Sequence, residues 1–261
     1  MALRKAVTAW MRRFAGMVLL SSLSVVAYAS STTLPSNHLA DTIDYVELQA
    51  LEGDKDLQLF LGQAYLYGEH QLPVDLLRSL YWLEMAAEDN PQVQRLLGQL
   101  FDNGSGFPAD ANVAASWYGK AAAGGDRDAM ELLGLLYITE RLPSESPCGE
   151  AINWLEQAAD LGSLSSRRNL VWLYSTCSEP QYRDGDKALR MAKQLMQRLP
   201  ELSSDDLDNL AAAYAACGEF DKAVDTQLKA IATLTEQDVS KRRDYQARLT
   251  NYQQGVAWVD R

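Results

Sequence analysis

The phrase YWLEMAA at residues 81–87 returns as SWYGKAA at 116–122 and as NWLEQAA at 153–159. Each copy has a tryptophan four residues before a pair of alanines. In a helix, a large side chain that shares a face with small ones lets a neighbouring helix interlock with it. The pattern therefore predicts three equivalent helices with core tryptophans, namely Trp82, Trp117 and Trp154.

A second phrase precedes each copy and contains a Leu-Gly pair, at residues 61–62, 97–98 and 133–134. An aromatic residue follows each glycine by three positions, and successive pairs are 36 residues apart. Two apolar phrases within such a period are typical of helical hairpins that stack side by side. The sequence thus predicts an all-α solenoid.

Local residues mark where these helices begin, end and touch. The repeated glycine stands inside a helix, where it costs about 1 kcal/mol relative to alanine, so we expect another helix to pass close to it. Asp75 and Asp110 precede second helices and are predicted N-caps. Asp205 and Asp206 stand at a predicted helix start, and we interpret them as a capping end, not as an acid/base pair.

The first 29 residues differ from the rest. Residues 1–29 contain four basic residues and no acid, then an apolar run of 15 residues that ends in Ala27-Tyr28-Ala29. These features are typical of a secretory signal peptide, and the run is shorter than the roughly 20 residues that span a bilayer. We expect cleavage after Ala29 and a periplasmic or secreted protein without membrane insertion after signal removal. A retained membrane anchor is the alternative.

The charge of the chain argues against two classes of partner. The formal net charge is −11, and loss of the four bases in residues 1–29 would make it −15. An acidic, exported chain is a poor match for nucleic acid or for anionic membrane surfaces. We expect neither as a partner.

The remaining chain divides into three parts that differ in composition and in the type of repeat. Residues 30–40 are small and polar, and we interpret them as a flexible leader. Residues 41–162 contain the repeated phrases after an N-terminal cap helix predicted at 41–52, and residues 163–261 contain further repeats that end in a helix near 238–250.

These phrases resemble a known family. The Leu-Gly phrase, the loop with Asp and the Trp-x-x-x-Ala-Ala phrase are similar to the SEL-like repeat branch of the tetratricopeptide superfamily. Residues 163–261 look like tetratricopeptide repeats proper. The resemblance implies a right-handed superhelical α-solenoid of about five helix-turn-helix repeats with terminal capping helices. Three repeats match well, over residues 54–89, 90–125 and 126–162.

The resemblance also implies a binding face. In that superfamily the first helix of each repeat lines a concave groove, and its exposed positions lie three before, one after and five after the repeat glycine. The candidate partner-binding residues are Leu59, Gln63, Tyr67, Arg95, Gln99, Asn103, Glu131, Leu135, Arg168 and Trp172. Aromatic residues and arginines are the usual anchors of interfaces, while a plain solvated face is the other interpretation. Trp172 stands where the family typically has a small or polar residue. It is interpreted either as a partner-binding residue or as a residue that packs against the neighbouring helix.

The cysteines allow two arrangements. In an oxidising compartment, Cys148, Cys177 and Cys217 can form at most one intramolecular disulfide. Cys177 and Cys217 occupy equivalent positions of adjacent repeats, about 10 Å apart and beyond disulfide reach. Cys148 is predicted in a long loop that can approach Cys177. We expect either a Cys148–Cys177 disulfide with Cys217 buried, or three free thiols.

No motif in the sequence points to catalysis. There is no His-x-x-x-His or Cys-x-x-Cys spacing and no Gly-x-Ser-x-Gly elbow. The glycine-rich NGSGF at 103–107 is interpreted as a turn and not as a phosphate-binding loop. We therefore expect no catalytic residue, no metal and no cofactor.

These observations favour one function and leave two alternatives. The favoured one is an exported, non-catalytic scaffold that binds a protein or peptide partner of unknown identity in a concave helical groove. The first alternative is a peptidoglycan-binding or weak cell-wall hydrolase-type protein. The second is a self-assembling structural protein whose groove receives residues 30–40 or a neighbouring chain.

Overall fold

The structure is a computed structural model that describes residues 38–260, with side chains from Ile43 onward. The predicted signal peptide at 1–29, and the predicted leader up to residue 37, lie outside the described residues. Within residues 38–260 every regular element is a helix, and none is long and apolar enough to cross a membrane. The predicted all-α helical-repeat class is confirmed.

The described chain forms two compact units that divide between Ala109 and Asp110. In the first unit each helix packs on the next one along the chain. The core of this unit contains Leu61, Tyr65 and Trp82. The N-terminal helix begins three residues before the predicted boundary. The helices are α1 (His38–Leu51), α2 (Lys55–Tyr67), α3 (Leu76–Ala86) and α4 (Pro91–Asn103).

The second unit continues the hairpin pattern. Each helix again packs on its successor, and α8 also contacts α10, because the first helices of consecutive hairpins lie side by side. The last helix, α12, packs on α11 and closes this end. The helices are α5 (Ala111–Ala123), α6 (Arg127–Ile138), α7 (Pro147–Asp160), α8 (Leu164–Thr176), α9 (Gly185–Met196), α10 (Ser204–Ala216), α11 (Phe220–Ala232) and α12 (Val239–Gln253).

The predicted caps are present. Asp75 accepts hydrogen bonds from the first backbone N–H groups of α3, and Asp110 does the same for α5. Ser203 and Asp206 form a reciprocal capping box at the start of α10. Such caps satisfy donors that the first turn of a helix leaves without partners. The interpretation of Asp206 as a capping residue is confirmed.

The repeated glycine marks a close helix contact. A β-carbon at Gly62 would lie 2.6 Å from Cγ of Leu83, and one at Gly134 would lie 2.7 Å from Cγ of Leu155. Both leucines are fully buried. The expectation that a second helix passes close to these glycines is confirmed, and the close residue is the one that follows the repeated tryptophan.

The prediction of three core tryptophans is correct only for Trp82, which is buried. Trp117 and Trp154 are half-buried, and the Lys120 ammonium lies 3.7 Å from the centre of the Trp117 ring. Adjacent residues of a helix point about 100° apart, so both members of the pair cannot face the first helix equally. The position that is fully buried in every copy is the next one, occupied by Leu83, Tyr118 and Leu155.

A disulfide joins Cys148 to Cys177, with Cα atoms 6.3 Å apart. The prediction that Cys148 lies in a loop is wrong. Cys148 lies in the first turn of α7, because Pro147 starts that helix. Cys217 is half-buried rather than buried, at the end of α10, and its thiol lies 3.8 Å from Asp186 Oδ1. Burial and the nearby Asp186 carboxylate raise the pKa of this thiol.

Candidate functional site

The predicted binding positions of the first unit are accessible. On α2, Tyr67 exposes 58 % of its surface and Gln63 is exposed, whereas Leu59 is partly buried. On α4, Arg95 and Gln99 are half-buried and Asn103 is exposed. Their part in partner binding stays a prediction.

Glu131 is engaged within the second unit. One of its carboxylate oxygens accepts hydrogen bonds from Ser163, Ser165 and Ser166 at 2.7, 2.6 and 3.1 Å. These serines form the start of α8, so Glu131 ties α6 to the first helix of the next hairpin. Leu135, one turn further along α6, is half-buried.

Arg168 ties the next pair of first helices together. Its Nε donates to Asp206 Oδ1 at 2.6 Å, and the other oxygen of Asp206 accepts from Ser203. Burial alone would raise the pKa of Asp206, but the hydrogen bonds from Arg168 and Ser203 outweigh it and hold that pKa below its ordinary value. Arg168 therefore contributes to repeat packing besides standing at a predicted binding position.

Trp172 contacts the C-terminal end of the chain. Its indole Nε1 donates to Asp260 Oδ2 at 2.6 Å, and Thr176 Oγ1 donates to the same oxygen at 3.0 Å. The backbone N–H of Asp260 donates to the carbonyl oxygen of Thr176 at 2.8 Å. Trp172, half-buried on α8, thus holds a segment without regular secondary structure that follows α12.

Arg248 on α12 lies at the centre of an aromatic cluster. Its guanidinium carbon is 5.1 Å from the ring centre of Trp172, 5.0 Å from that of Tyr245 and 5.9 Å from that of Trp258. These distances suit cation–π attraction. Arg248 Nε also donates to Asp208 at 2.9 Å. Burial raises the pKa of Asp208, and Arg248 offsets part of that rise.

A cleft of about 420 Å³ opens beside this cluster. Its lining combines charged, amide and aromatic side chains. All three of its basic residues face carboxylates, since Arg168 pairs with Asp206, Arg248 with Asp208, and Lys241 Nζ lies 2.7 Å from Asp205. Such a lining offers donors, acceptors and flat apolar faces together, as surfaces that bind peptide segments do.

Buried tyrosines elsewhere carry out a structural task. The Tyr65 hydroxyl donates to Glu47 at 2.6 Å and accepts from Arg78 at 2.7 Å. Burial and the Glu47 carboxylate raise the pKa of Tyr65 to about 12. In the second unit Tyr174 lies between Glu156 and Lys187 in the same manner, at 2.7 and 2.8 Å. These hydroxyls stay protonated near neutral pH and link helices, so they are poor candidates for nucleophiles.

One group of metal-type ligands stands out within residues 38–260. The sulfurs of Cys148 and Cys177 lie close to a carboxylate oxygen of Glu179. The two sulfurs are bonded to each other, and Glu179 accepts from the backbone N–H of Cys148 at 2.9 Å. In the disulfide form these groups hold each other and have a structural role.

No role was predicted from the sequence for Arg248 or for residues 256–260, here called the tail. The helix predicted near 238–250 is α12, which ends at Gln253, and the tail after it has no regular secondary structure. Two features could have pointed to the tail. One is the glycine at 255, and the other is the apolar and aromatic stretch VAWV that follows it.

Comparison with known proteins identifies the repeats. The Sel1 repeat family model matches residues 56–91, 91–126 and 128–163, within two residues of the predicted repeats. The chain is 24 % identical over 158 residues to chitin synthase regulatory factor 4 of Schizosaccharomyces pombe, across 60 % of this chain and 24 % of that protein. It therefore spans about a quarter of that relative's length.

Two crystal structures share the fold. A Sel1 repeat protein from Oxalobacter formigenes superimposes with a TM-score of 0.54 at 18 % identity, over 80 % of this chain and 95 % of that chain. The protein c5321, a protective antigen with an SLR fold that is present in uropathogenic Escherichia coli strains, superimposes with a TM-score of 0.53 at 23 % identity. The match covers 80 % of this chain and 48 % of that chain. At these identities the likeness shows the fold alone. Sel1 repeat proteins are in general protein-interaction scaffolds and are typically non-catalytic.

Proposed function

Because residues 56–163 of this chain are Sel1 repeats, we propose that it is an exported, non-catalytic scaffold. It binds a segment of a partner protein along the face that the first helices of the repeats form within each unit. The contact between Trp172 and Asp260 carries this proposal, since a non-helical segment already lies against a first helix through side-chain and backbone hydrogen bonds. Peptide recognition by helical and sheet surfaces uses such combined contacts.

The composition of the face supports the same function. In the first unit it presents the exposed Tyr67 with amides and an arginine, and in the second it presents Trp172 beside Arg248. Tyrosine, tryptophan and arginine are the residues that most often anchor protein interfaces. They combine a large apolar surface with a polar group that fixes orientation.

Two carboxylates of the second unit, Glu156 and Asp206, support a non-catalytic role. A general acid or base at neutral pH needs a pKa near 7. The Glu156 carboxylate would have its pKa raised by burial, but hydrogen bonds from Lys187 and Tyr174 lower it below its ordinary value. The Asp206 pKa is lowered as well. Both acids act as ties between helices, which disfavours the hydrolase alternative.

Export is supported by two independent features. Residues 1–29 have the composition of a signal peptide, and Cys148 and Cys177 form a disulfide, which persists in oxidising compartments. We expect the protein to be recovered from the periplasm or medium as a chain that begins at Ser30. N-terminal sequencing and intact mass measure this. A full-length, reduced chain in the cytosol would contradict export.

Site-specific photo-cross-linking tests the binding face. A photoreactive residue at Tyr67 is expected to form an adduct with one envelope protein, while the same residue at Leu77 is expected to form none. Leu77 lies on the second helix of the same hairpin and is matched in exposure, 52 % against 58 %. Adducts at Leu77 alone, or at neither position, would contradict the proposal. Adducts with cell-wall peptides or with a second copy would instead favour the two alternatives.

A further inference from the structure

The residues after α12 fold back onto α8. Gly255, with φ +70°, turns the chain, and residues 256–260, the tail, then continue without regular secondary structure. We propose that the tail occupies a recognition site for partner segments that carry an aromatic residue two positions before an acidic one. The tail itself has this pattern in Trp258 and Asp260. The proposal rests on the proposed function, which it makes specific.

The acidic position is defined by three donors. Trp172 Nε1 and Thr176 Oγ1 both donate to Asp260 Oδ2, at 2.6 and 3.0 Å, and Trp258 Nε1 donates to Oδ1 at 3.0 Å. Trp172 and Thr176 belong to the site and Trp258 to the occupant, and the single Thr176 hydroxyl proton also has the carbonyl oxygen of Trp172 within 2.9 Å. A carboxylate only accepts hydrogen bonds, so both of its oxygens can serve these donors. An amide would turn its own N–H groups toward a donor. The site therefore selects a carboxylate over an amide of the same shape.

The aromatic position is defined by packing. Trp258 packs with Ala257 against a small cluster of buried residues that includes Ala211, Ala215 and Tyr252. On another side the Arg248 guanidinium lies 5.9 Å from its ring centre and 5.1 Å from that of Trp172. One cation is thus shared between the ring of the occupant and a ring of the site. An aromatic residue gains from both the apolar contact and the cation.

The spacing between the two positions is set by the backbone. The Asp260 N–H donates to the carbonyl oxygen of Thr176, which is buried on α8. This bond fixes where the acidic residue stands, and the hydrogen bond from Trp258 Nε1 to Asp260 Oδ1, at 3.0 Å, holds the aromatic residue two positions earlier on the same side. Val259, between them, keeps 36 % of its surface exposed.

The tail has the properties of an occupant that another segment can replace. Val256 is 51 % exposed, and the cleft of about 420 Å³ beside Trp172 and Arg248 offers space for residues that flank a longer segment. A tethered segment has an effective concentration near the millimolar range. The tail therefore raises the affinity that a partner needs, and only segments with additional contacts in the cleft displace it.

A peptide-binding experiment tests the proposal in the full mature chain, residues 30–261. The probe is a synthetic peptide with the sequence of residues 255–261, and its binding is followed by calorimetry. We expect it to bind the Asp260→Ala chain at least about tenfold more tightly than the wild type, because the tethered competitor is released. Asp225→Ala removes an equal charge from an exposed position of α11 and is expected to bind like the wild type.

Two further arms test the chemistry of the site. Adding Trp172→Phe to the Asp260→Ala chain removes one donor and keeps an aromatic ring, and we expect about tenfold weaker peptide binding. A probe with Asn in place of its Asp is expected to bind the Asp260→Ala chain about tenfold more weakly than the Asp probe. Thermal unfolding followed by circular dichroism shows that each variant is folded.

Several results would overturn the proposal. A folded Asp260→Ala chain that binds the probe no better than the wild type would show that the tail is a structural clasp. Equal binding of the Asp and Asn probes would show that the carboxylate is not recognised. A dimer that needs Asp260 of one chain and Trp172 of another would make a second copy the occupant. If cross-links at Tyr67 persist in these cases, the proposed function stands while this inference fails.

Discussion

Gly62 on α2 and Leu83 on α3 approach so closely that a β-carbon at position 62 would lie 2.6 Å from Leu83 Cγ and 3.1 Å from its backbone nitrogen. The backbone nitrogen cannot rotate away as a side chain can. The pair therefore sets the distance between the two helices of the first hairpin.

We expect Gly62→Ala to lower the free energy of unfolding by about 1–3 kcal/mol, because α2 and α3 must move apart. Gly119→Ala is the matched control, since Gly119 is also helical but a β-carbon added there would meet no atom within 4 Å. At that position alanine should raise the free energy of unfolding by up to about 1 kcal/mol. Urea denaturation measures both, and effects of the same sign would contradict the prediction.

The disulfide between Cys148 and Cys177 closes a segment with a sequence separation of 29. Its loss frees that segment in the unfolded chain, and we expect a stability decrease of about 3–4 kcal/mol in Cys148→Ala, Cys177→Ala. Cys217→Ala, at a half-buried thiol, is expected to change stability by less than about 1 kcal/mol. Denaturation with and without reductant checks this. Sensitivity of the double variant to reductant would argue that another disulfide matters.

The hydroxyl of Tyr65 links Glu47 and Arg78, and its pKa is raised to about 12 from an ordinary value of 10.0. The unfolded chain loses this proton first as the pH rises. The stability contribution is therefore present below pH 10 and is lost progressively up to about pH 12. Denaturation across this range is expected to show a smaller decline for Tyr65→Phe than for the wild type. Tyr67→Phe, at an exposed position, should decline like the wild type.

Arg248 and Asp208 form a buried ion pair, with side chains 11 % and 7 % exposed. We expect Arg248→Met to destabilise by about 3–5 kcal/mol at pH 7, because it leaves a buried carboxylate without its cation. Burial already holds the Asp208 pKa above its ordinary value of 3.8.

Acidification should relieve that loss. As the pH falls through the raised pKa of Asp208 in the folded variant, the carboxyl group takes up a proton and its burial no longer opposes folding. The gap between Arg248→Met and the wild type is therefore expected to narrow as the pH is lowered from 7, as measured by urea denaturation. Adding Asp208→Asn should recover stability at pH 7. A gap that does not change with pH would contradict this account.

The sequence was a reliable guide wherever the interactions lie within one hairpin. The repeat glycine, the caps at Asp75 and Asp110 and the boundaries of the Sel1 repeats followed from spacing and residue type. Helical periodicity and capping arise from contacts within about four residues, so a short stretch of sequence is enough to predict them. The same reasoning placed Cys148 in a loop because it did not weigh Pro147 as a helix start.

The sequence could not reveal the surroundings of the binding face. Trp172 was a candidate, but its partner Asp260 is 88 residues away and belongs to the tail, for which no role was predicted. Glu131 and Arg168 were candidates for the face as well, and both proved to tie neighbouring first helices together. Such pairings depend on how hairpins stack, which no local pattern encodes.

By itself, then, the sequence determined the helices, their repeat and the residues that could face a partner, because each of these depends on neighbours in the chain. Only the tertiary structure decided which member of each Trp-containing pair is buried, that Cys148 reaches Cys177, and that the tail lies against Trp172. The physical reason is that these outcomes depend on distances between helices far apart in sequence, and those distances are set by the packing of all the intervening side chains.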